Sequence, residues 1–142
     1  MLNEQEKKHG ENKRSHLQMI QGIINRMGGN LFFLKGWAVT LIVALFTASI
    51  SFTENMYLQL TLAGVIVFFW CFDAYFLALE RCYRDLYDIV RSKNEIDVDF
   101  SMDVSDLKKY AKNTWVGAML STTLLAFYPL LGSVMLLIIN FI

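Results

Sequence analysis

Three long apolar runs divide the chain, at residues 31–52, 56–79 and 115–142. Each run is close to the roughly 20 residues that a helix needs to cross the hydrocarbon core of a bilayer. The pattern therefore predicts an all-α integral membrane protein with three transmembrane helices, of which the first two are joined by a short outer turn at residues 53–55.

The second run continues into charged sequence without a helix breaker. Between Gly64 and Arg91 there is neither Pro nor Gly, and the residues after Leu79 carry opposite charges four apart, beginning with Glu80 and Arg84. Each such pair stabilises a helix surface by about 0.3 kcal/mol. We therefore expect one helix over residues 56–91 that crosses the membrane and extends beyond it.

Residues 1–30 are predicted to form a polar tail followed by an amphipathic helix. Apolar side chains recur at helical spacing through Lys13–Met27, which predicts the helix. Gly28 and Gly29 should break or bend it and so act as a hinge. The helix either lies on the membrane surface or packs against another helix, and its amide-rich polar face favours packing.

The segment 92–114 separates the last two spans. From Ile96 to Val104 it alternates apolar and polar residues, which is typical of a strand or extended segment with one buried face. Such a segment would pair across subunits or lie extended over the helices. Ser105 is then expected to cap a short helix over residues 106–113.

Asp73 is an ionisable residue inside the second span. It precedes Glu80 by seven residues, so it lies roughly 10 Å deeper along the helix. An ionised carboxylate at that depth costs about 2.5 kcal/mol or more unless it is protonated, paired or hydrated. Two roles are open. In the first, Asp73 is near enough to the interface to be wetted, or it bonds a hydroxyl or an Arg of a neighbouring helix. In the second, it forms a polar site in a pore or subunit contact, with Thr40 and Thr47 as further intramembrane polar groups.

The spans also carry features that favour assembly and bending. Gly36, Thr40, Ala44 and Ala48 recur four apart and form a small-residue face that permits close helix contact. Pro129 interrupts the third span and is expected to kink it, which makes it a second flexible point. Since three spans of one chain enclose no pore, a conducting path would require a homo-oligomer.

Charge is sorted along the chain although the net charge is zero. All 13 lysine and arginine residues fall within residues 1–35 and 81–112. The positive-inside rule therefore places the N-terminus and segment 92–114 in the cytoplasm and the C-terminus outside. These cations either bind anionic lipid or form an anion site for a nucleotide or oligonucleotide. The candidate ligand-binding residues are Arg14, Arg26, Lys35, Arg81 and Arg84.

Catalytic and metal-binding signatures are absent from the sequence, which has no phosphate-binding Gly loop and no HExxH or GxSxG motif. Cys71 and Cys82 lie about 16 Å apart on one helix and cannot pair within the subunit. His9 and His16 are expected to be solvated or to cap a helix. We therefore expect neither an enzyme nor a bound metal or cofactor.

Three stretches, Gln18–Met27, Leu34–Trp37 and Asp73–Arg81, resemble a family of small bacterial membrane proteins. These are the transmembrane effectors of anti-phage defence systems that pair a nucleotidyltransferase with a membrane protein, of the Hailong type. The resemblance covers Gln18 to Asp88 well and the third span loosely. It implies an inner-membrane oligomeric ion channel, such as a tetramer, that a nucleic-acid product of the partner enzyme controls and whose opening depolarises the infected cell.

The sequence thus predicts a ligand-gated ion channel or pore-forming effector. The alternative is a non-conducting membrane scaffold that recruits a soluble partner through the alternating segment and the amphipathic helix. Growth arrest with membrane depolarisation on overexpression would separate the two functions.

Overall fold

The computed structural model describes residues 4–50 and 56–141, and within these ranges the protein is all-helical, without strands. The helices are α1 (Glu4–Ile50), α2 (Met56–Ser92), α3 (Trp115–Met119) and α4 (Thr122–Phe141). Three short 3₁₀ helices lie between α2 and α3, at Glu95–Asp97, Leu107–Lys109 and Ala111–Asn113. α2 is central, because it contacts each of the other three α-helices. The predicted outer turn at residues 53–55 lies outside the described residues.

Two helices are long and apolar enough to cross a membrane. The candidate spans are Lys7–Ala48 within α1 and Gln59–Ser92 within α2, while Thr122–Leu137 of α4 is apolar but shorter. The predicted third span, residues 115–142, is not one helix, because the chain leaves the helical conformation at Leu120 and Ser121. Its described part is divided into the short α3 and the longer α4.

α1 is one continuous helix of 47 residues, or roughly 70 Å. The prediction that Gly28 and Gly29 break the amphipathic helix is wrong: both are helical. A glycine costs a helix only about 1 kcal/mol relative to alanine. The buried stripe that begins at Ile20 resumes at Ala38 on the far side of the two glycines, so packing against α2 offsets that cost.

α2 confirms the predicted long helix to within one residue at its C-terminal end. The predicted Glu80–Arg84 pair forms, with 2.6 Å between Oε1 and Nη2. The same spacing predicts pairs of Arg81 with Asp85 and of Arg84 with Asp88, but Asp85 contacts Lys112 and Asp88 contacts Arg91 instead. The charged extension of α2 is therefore also the surface on which residues 107–114 are anchored.

The predicted strand does not form. Residues after the 3₁₀ helix Glu95–Asp97 are irregular, and Phe100 adopts a left-handed backbone conformation with φ of 55°. Val98 and Val104 are buried, whereas Ile96 and Phe100 are exposed. The segment therefore lies over the helices, which was one of the two expected placements. The left-handed turn at Phe100 interrupts the alternation that the pattern suggested.

The short helix predicted over residues 106–113 is also absent. Two 3₁₀ helices, Leu107–Lys109 and Ala111–Asn113, take its place. Ser105 does not cap either of them, because its backbone N–H and its hydroxyl both donate to Asp103 Oδ1, at 2.9 and 2.5 Å. The local turn between these two residues competes with the helix start.

Three apolar clusters lie at different levels of the helical bundle. The first joins α1, α2 and the segment 98–107, the second joins α2 to α3 and α4, and the third joins α1, α2 and α4. Their fully buried members include Ile20 and Val90 in the first, Leu124 and Tyr128 in the second, and Ile42 in the third. The ionisable residue Asp73 lies beside the second cluster, next to Ala74.

Candidate functional site

Asp73 forms an ion pair with a neighbouring helix. Lys35 of α1 lies with its Nζ 2.5 Å from Asp73 Oδ2. Tyr128 of α4 donates its hydroxyl to the same oxygen at 3.1 Å. One carboxylate therefore connects three helices at a single point.

The two partners of the ion pair differ in their exposure to solvent. The Asp73 side chain is fully buried, whereas 31% of the Lys35 side chain is exposed. Asp73 Oδ1 is buried without a hydrogen-bond partner among the described atoms. The carboxylate is thus held by one oxygen, and half of its acceptor capacity is unused.

Aromatic side chains enclose the ion pair. Trp70 stacks on Tyr128 with ring centroids 6.0 Å apart and an angle of 13° between the planes. The indole Nε1 of Trp70 donates to the carbonyl of Met119 at 3.1 Å, which fixes the ring. The Lys35 ammonium also lies 6.0 Å from the centroid of the Phe127 ring, within the range of a cation–π contact. These rings pack against the two partners of the buried carboxylate, Tyr128 and Lys35.

The geometry agrees with part of the sequence analysis. A hydroxyl of a neighbouring helix does bond Asp73, but the cation is Lys35 rather than an arginine. Lys35 was expected to serve as an anion ligand. Within one subunit the cluster is structural, and a role in a pore or subunit contact stays a prediction.

The structure does not bring Thr40 and Thr47 into this cluster. Their hydroxyls donate to the carbonyls of Gly36 and Val43, one turn earlier in α1, each at 2.9 Å. Both side chains are on the exposed surface of the subunit. Their polarity is therefore satisfied within their own helix.

The five candidate ligand-binding residues do not form one group. Lys35 is paired with Asp73, and Arg84 is paired with Glu80. Arg81 donates to two carbonyls, those of Lys112 at 2.8 Å and Gly117 at 3.4 Å. Arg14 and Arg26 are exposed on α1. Most of the predicted anion-binding charge is therefore used inside the subunit.

A cleft of about 650 Å³ lies between the polar parts of α1 and α2. Its wall contains two amides that hydrogen-bond to each other, because Gln21 Nε2 donates to Asn25 Oδ1 at 3.1 Å. Charges of both signs also reach it. The lining residues are Gln21, Ile24, Asn25, Gly28, Glu80, Arg84, Tyr87 and Asp88. The cleft thus joins one predicted ligand residue, Arg84, to one predicted hinge residue, Gly28.

Two groups of contacts that the sequence did not reveal hold the segment 93–114 in place. Lys13 donates its Nζ to the carbonyls of Lys93 and Arg91, at 2.6 and 3.2 Å, and so caps the C-terminal end of α2. Asp85 accepts from Lys112 at 2.7 Å and from Asn113 at 2.8 Å. Burial raises the pKa of Asp85, but these two hydrogen bonds outweigh it and hold that pKa below its ordinary value.

His16 is buried, so the prediction that it is solvated or caps a helix is wrong. It lies edge-on to Phe100, with ring centroids 5.5 Å apart, and its Nε2 has no partner among the described residues. The irregular segment covers this face of α1, which no pattern in the sequence shows. Cys82 is a buried free thiol, and burial raises its pKa.

Comparisons with protein-family models, with curated proteins and with solved structures found no match for this chain.

Proposed function

We propose that this protein is the subunit of a homo-oligomeric ion channel or pore-forming effector of a bacterial inner membrane. The observation that carries the proposal is the buried bond between Asp73 and Lys35, which Tyr128 joins. Charged groups are expensive inside a membrane helix bundle, and they mark functional positions there. A buried pair of this kind loses about 3–5 kcal/mol when one partner is removed, so it can hold a closed or an open arrangement of three helices.

α1 supplies the mechanical connection in this proposal. It extends without interruption from the charged N-terminal region, through Lys35, to the far end of the apolar region at Ile50. A ligand that displaces the polar end of α1 would therefore move the same helix that carries Lys35. Gly28 is helical and would serve as a flexible point within this continuous helix.

The exposed small-residue face of α1 supports assembly. Gly36, Thr40, Ala44 and Ala48 are all on the surface of the subunit, and a side-chain carbon added to Gly36 would meet no atom within 4 Å. Such a face permits close packing of helices in lipid. We propose that copies of the subunit meet along it, and a tetramer is the arrangement that the family resemblance implies.

The proposed topology has three spans with the N-terminus in the cytoplasm and the C-terminus in the periplasm. α4 has 20 residues, which is roughly 30 Å of helix and matches the hydrocarbon thickness. Pro129 lies inside α4, where it is proposed to act as a flexible point. The one-sided distribution of lysine and arginine supports the orientation.

The proposed gating ligand is a nucleotide or oligonucleotide made by a partner nucleotidyltransferase. The cleft between α1 and α2 offers amide groups and the Tyr87 ring in about 650 Å³, a volume within the range of small-molecule sites. A phosphate bound there would have to compete with Glu80 for the Arg84 guanidinium. Arg14 and Arg26 are exposed on α1 and are available to phosphates.

Expression in bacteria with a voltage-sensitive dye tests the proposal. We expect the wild type to depolarise cells, alone or with its partner enzyme, and Asp73→Asn to change the extent of depolarisation because it weakens the bond to Lys35. Thr61→Val is the matched control, since the Thr61 hydroxyl donates to the carbonyl of Tyr57 one turn earlier in α2 and Thr61 is not on the small-residue face of α1. Equal depolarisation by all three proteins would remove Asp73 from the mechanism.

A membrane scaffold is the second candidate function. The observation that favours it is the exposure of Ile96 and Tyr110, at 79% and 58%, on the segment between α2 and α3. Exposed apolar side chains of this kind suit a soluble partner. Membrane localisation without depolarisation or growth arrest would favour this function over a channel.

A further inference from the structure

A second cavity, of about 320 Å³, lies between α2 and the chain that leads into α3. Its apolar wall is formed by Tyr75, Ala78 and Leu79, from the last apolar turns of α2. Its polar wall includes Lys108 and Asn113 from the two 3₁₀ helices. The cavity therefore changes from apolar to polar along α2, at the level where the apolar part of that helix ends.

Asn113 brings an unused acceptor to this cavity. The residue is 2% exposed, and its Nδ2 donates to Asp85 Oδ2 at 2.8 Å and to the carbonyl of Leu107 at 3.0 Å. Its Oδ1 has no partner within residues 4–50 and 56–141. Buried polar atoms are normally paired, so this oxygen marks a place for a donor from outside the chain.

Lys108 places a positive charge at the polar wall of the cavity. Lys108 is exposed and makes no ion pair in the described parts of the chain. The neighbouring acids have other partners: Asp85 pairs with Lys112, Asp106 pairs with Lys109, and Asp103 accepts hydrogen bonds from Ser105. Arg81 is not among the lining residues, and its guanidinium donates to the carbonyls of Lys112 and Gly117.

We propose that this cavity binds the headgroup region of an anionic phospholipid from the cytoplasmic leaflet. The phosphate lies on the Lys108 ammonium, a headgroup hydroxyl donates toward Asn113 Oδ1, and the start of an acyl chain follows Tyr75, Ala78 and Leu79. Basic pockets beside transmembrane helices on this side of a membrane suit such headgroups. The site rests on the membrane insertion of the proposed function but does not depend on ion conduction.

Native mass spectrometry of the purified full-length protein in mild detergent tests the site. The protein is titrated with phosphatidylglycerol and with phosphatidylcholine of the same chain length. We expect the wild type to retain phosphatidylglycerol about fivefold better, the preference that one interfacial lysine supplies. Lys108→Gln should abolish this preference and Lys108→Arg should keep it.

Lys109→Gln is the matched control, because it removes the same charge one residue away, from a lysine paired with Asp106 at the surface. An equal loss of preference in Lys109→Gln and Lys108→Gln would overturn the proposal, as would retention of the preference in Lys108→Gln. Equal binding of glycerophosphoglycerol, which has the headgroup without chains, would also overturn it. Recovery of the soluble protein without detergent would contradict membrane insertion itself. Absence of ion flux in liposomes, with the preference for phosphatidylglycerol retained, would contradict only the channel.

Discussion

At the scale of single residues, the free-energy cost of burying a charge predicts that Asp73 needs a partner but does not predict which one. An ionisable side chain in an apolar run is expensive, so the sequence identified Asp73 as a residue that needs a partner. It did not identify Lys35 and Tyr128 as those partners. Which side chains meet depends on how α1 and α4 are rotated and shifted against α2, and no local pattern encodes that.

Gly117 is another residue whose role appears only in the fold. A side-chain carbon built on it would lie 1.9 Å from the carbonyl oxygen of Ala111, so the backbone approach at the start of α3 requires glycine. Thr114 accepts a hydrogen bond from the Gly117 N–H at 3.0 Å, and Arg81 donates to the Gly117 carbonyl.

We predict that Gly117→Ala lowers the free energy of unfolding by about 1–3 kcal/mol, the usual cost of overpacking. Gly22→Ala is the control, because Gly22 is exposed in α1 with no atom within 4 Å of the added carbon. It should be neutral or stabilise the protein by up to about 1 kcal/mol. Thermal unfolding of both variants in detergent measures the difference, and equal melting temperatures would contradict the close approach.

At the scale of elements, a local sequence pattern predicts a helix or strand correctly where tertiary packing does not oppose it. α2 was predicted nearly to the residue because periodicity, charge pairing and the absence of breakers all agree. The break at Gly28 and Gly29 was wrong because packing of α1 on α2 outweighs two weak helix formers. The strand was wrong because an irregular segment folded over helices can also bury alternate residues, as Val98 and Val104 show.

The contact between Asp85 of α2 and residues 107–114 makes a pH-dependent prediction. Burial raises the pKa of Asp85, but the hydrogen bonds from Lys112 and Asn113 hold it below its ordinary value of 3.8. Because the folded-state pKa is lowered, the stabilisation is present in full above the unfolded value and is lost as the pH falls through the folded value. We expect about 1 kcal/mol from these bonds at neutral pH.

Asp85→Asn should therefore lower the melting temperature at pH 7, and the difference from the wild type should shrink as the pH falls below about 4. Asp88→Asn is the control, since Asp88 is an exposed acid on the same helix that pairs with Arg91 at the surface. Melting curves between neutral and acidic pH supply the data. A difference that is constant over this range would show that the carboxylate charge of Asp85 is not what anchors the segment.

At the scale of the whole molecule, the long helix α1 connects the features on which the proposed function depends. α1 joins the polar cleft, the Lys35–Asp73 bond and the exposed small-residue face in a single element. A subunit of this form is proposed to need further copies to enclose a conducting path. The two long apolar helices, which are compatible with a membrane protein, were predictable from the runs of apolar residues. The position of the cleft was not, because its α1 residues and its α2 residues are more than 50 positions apart in the chain.

Ion flux through the purified protein in liposomes, with the oligomeric size measured in the same preparation, tests the channel proposal most directly. We predict flux from a defined homo-oligomer, either constitutive or released by the partner enzyme's nucleotide products. Asp73→Asn should change this flux, whereas Thr61→Val should not. A silent monomer under all these conditions would contradict the proposal, since three spans cannot enclose a path for ions.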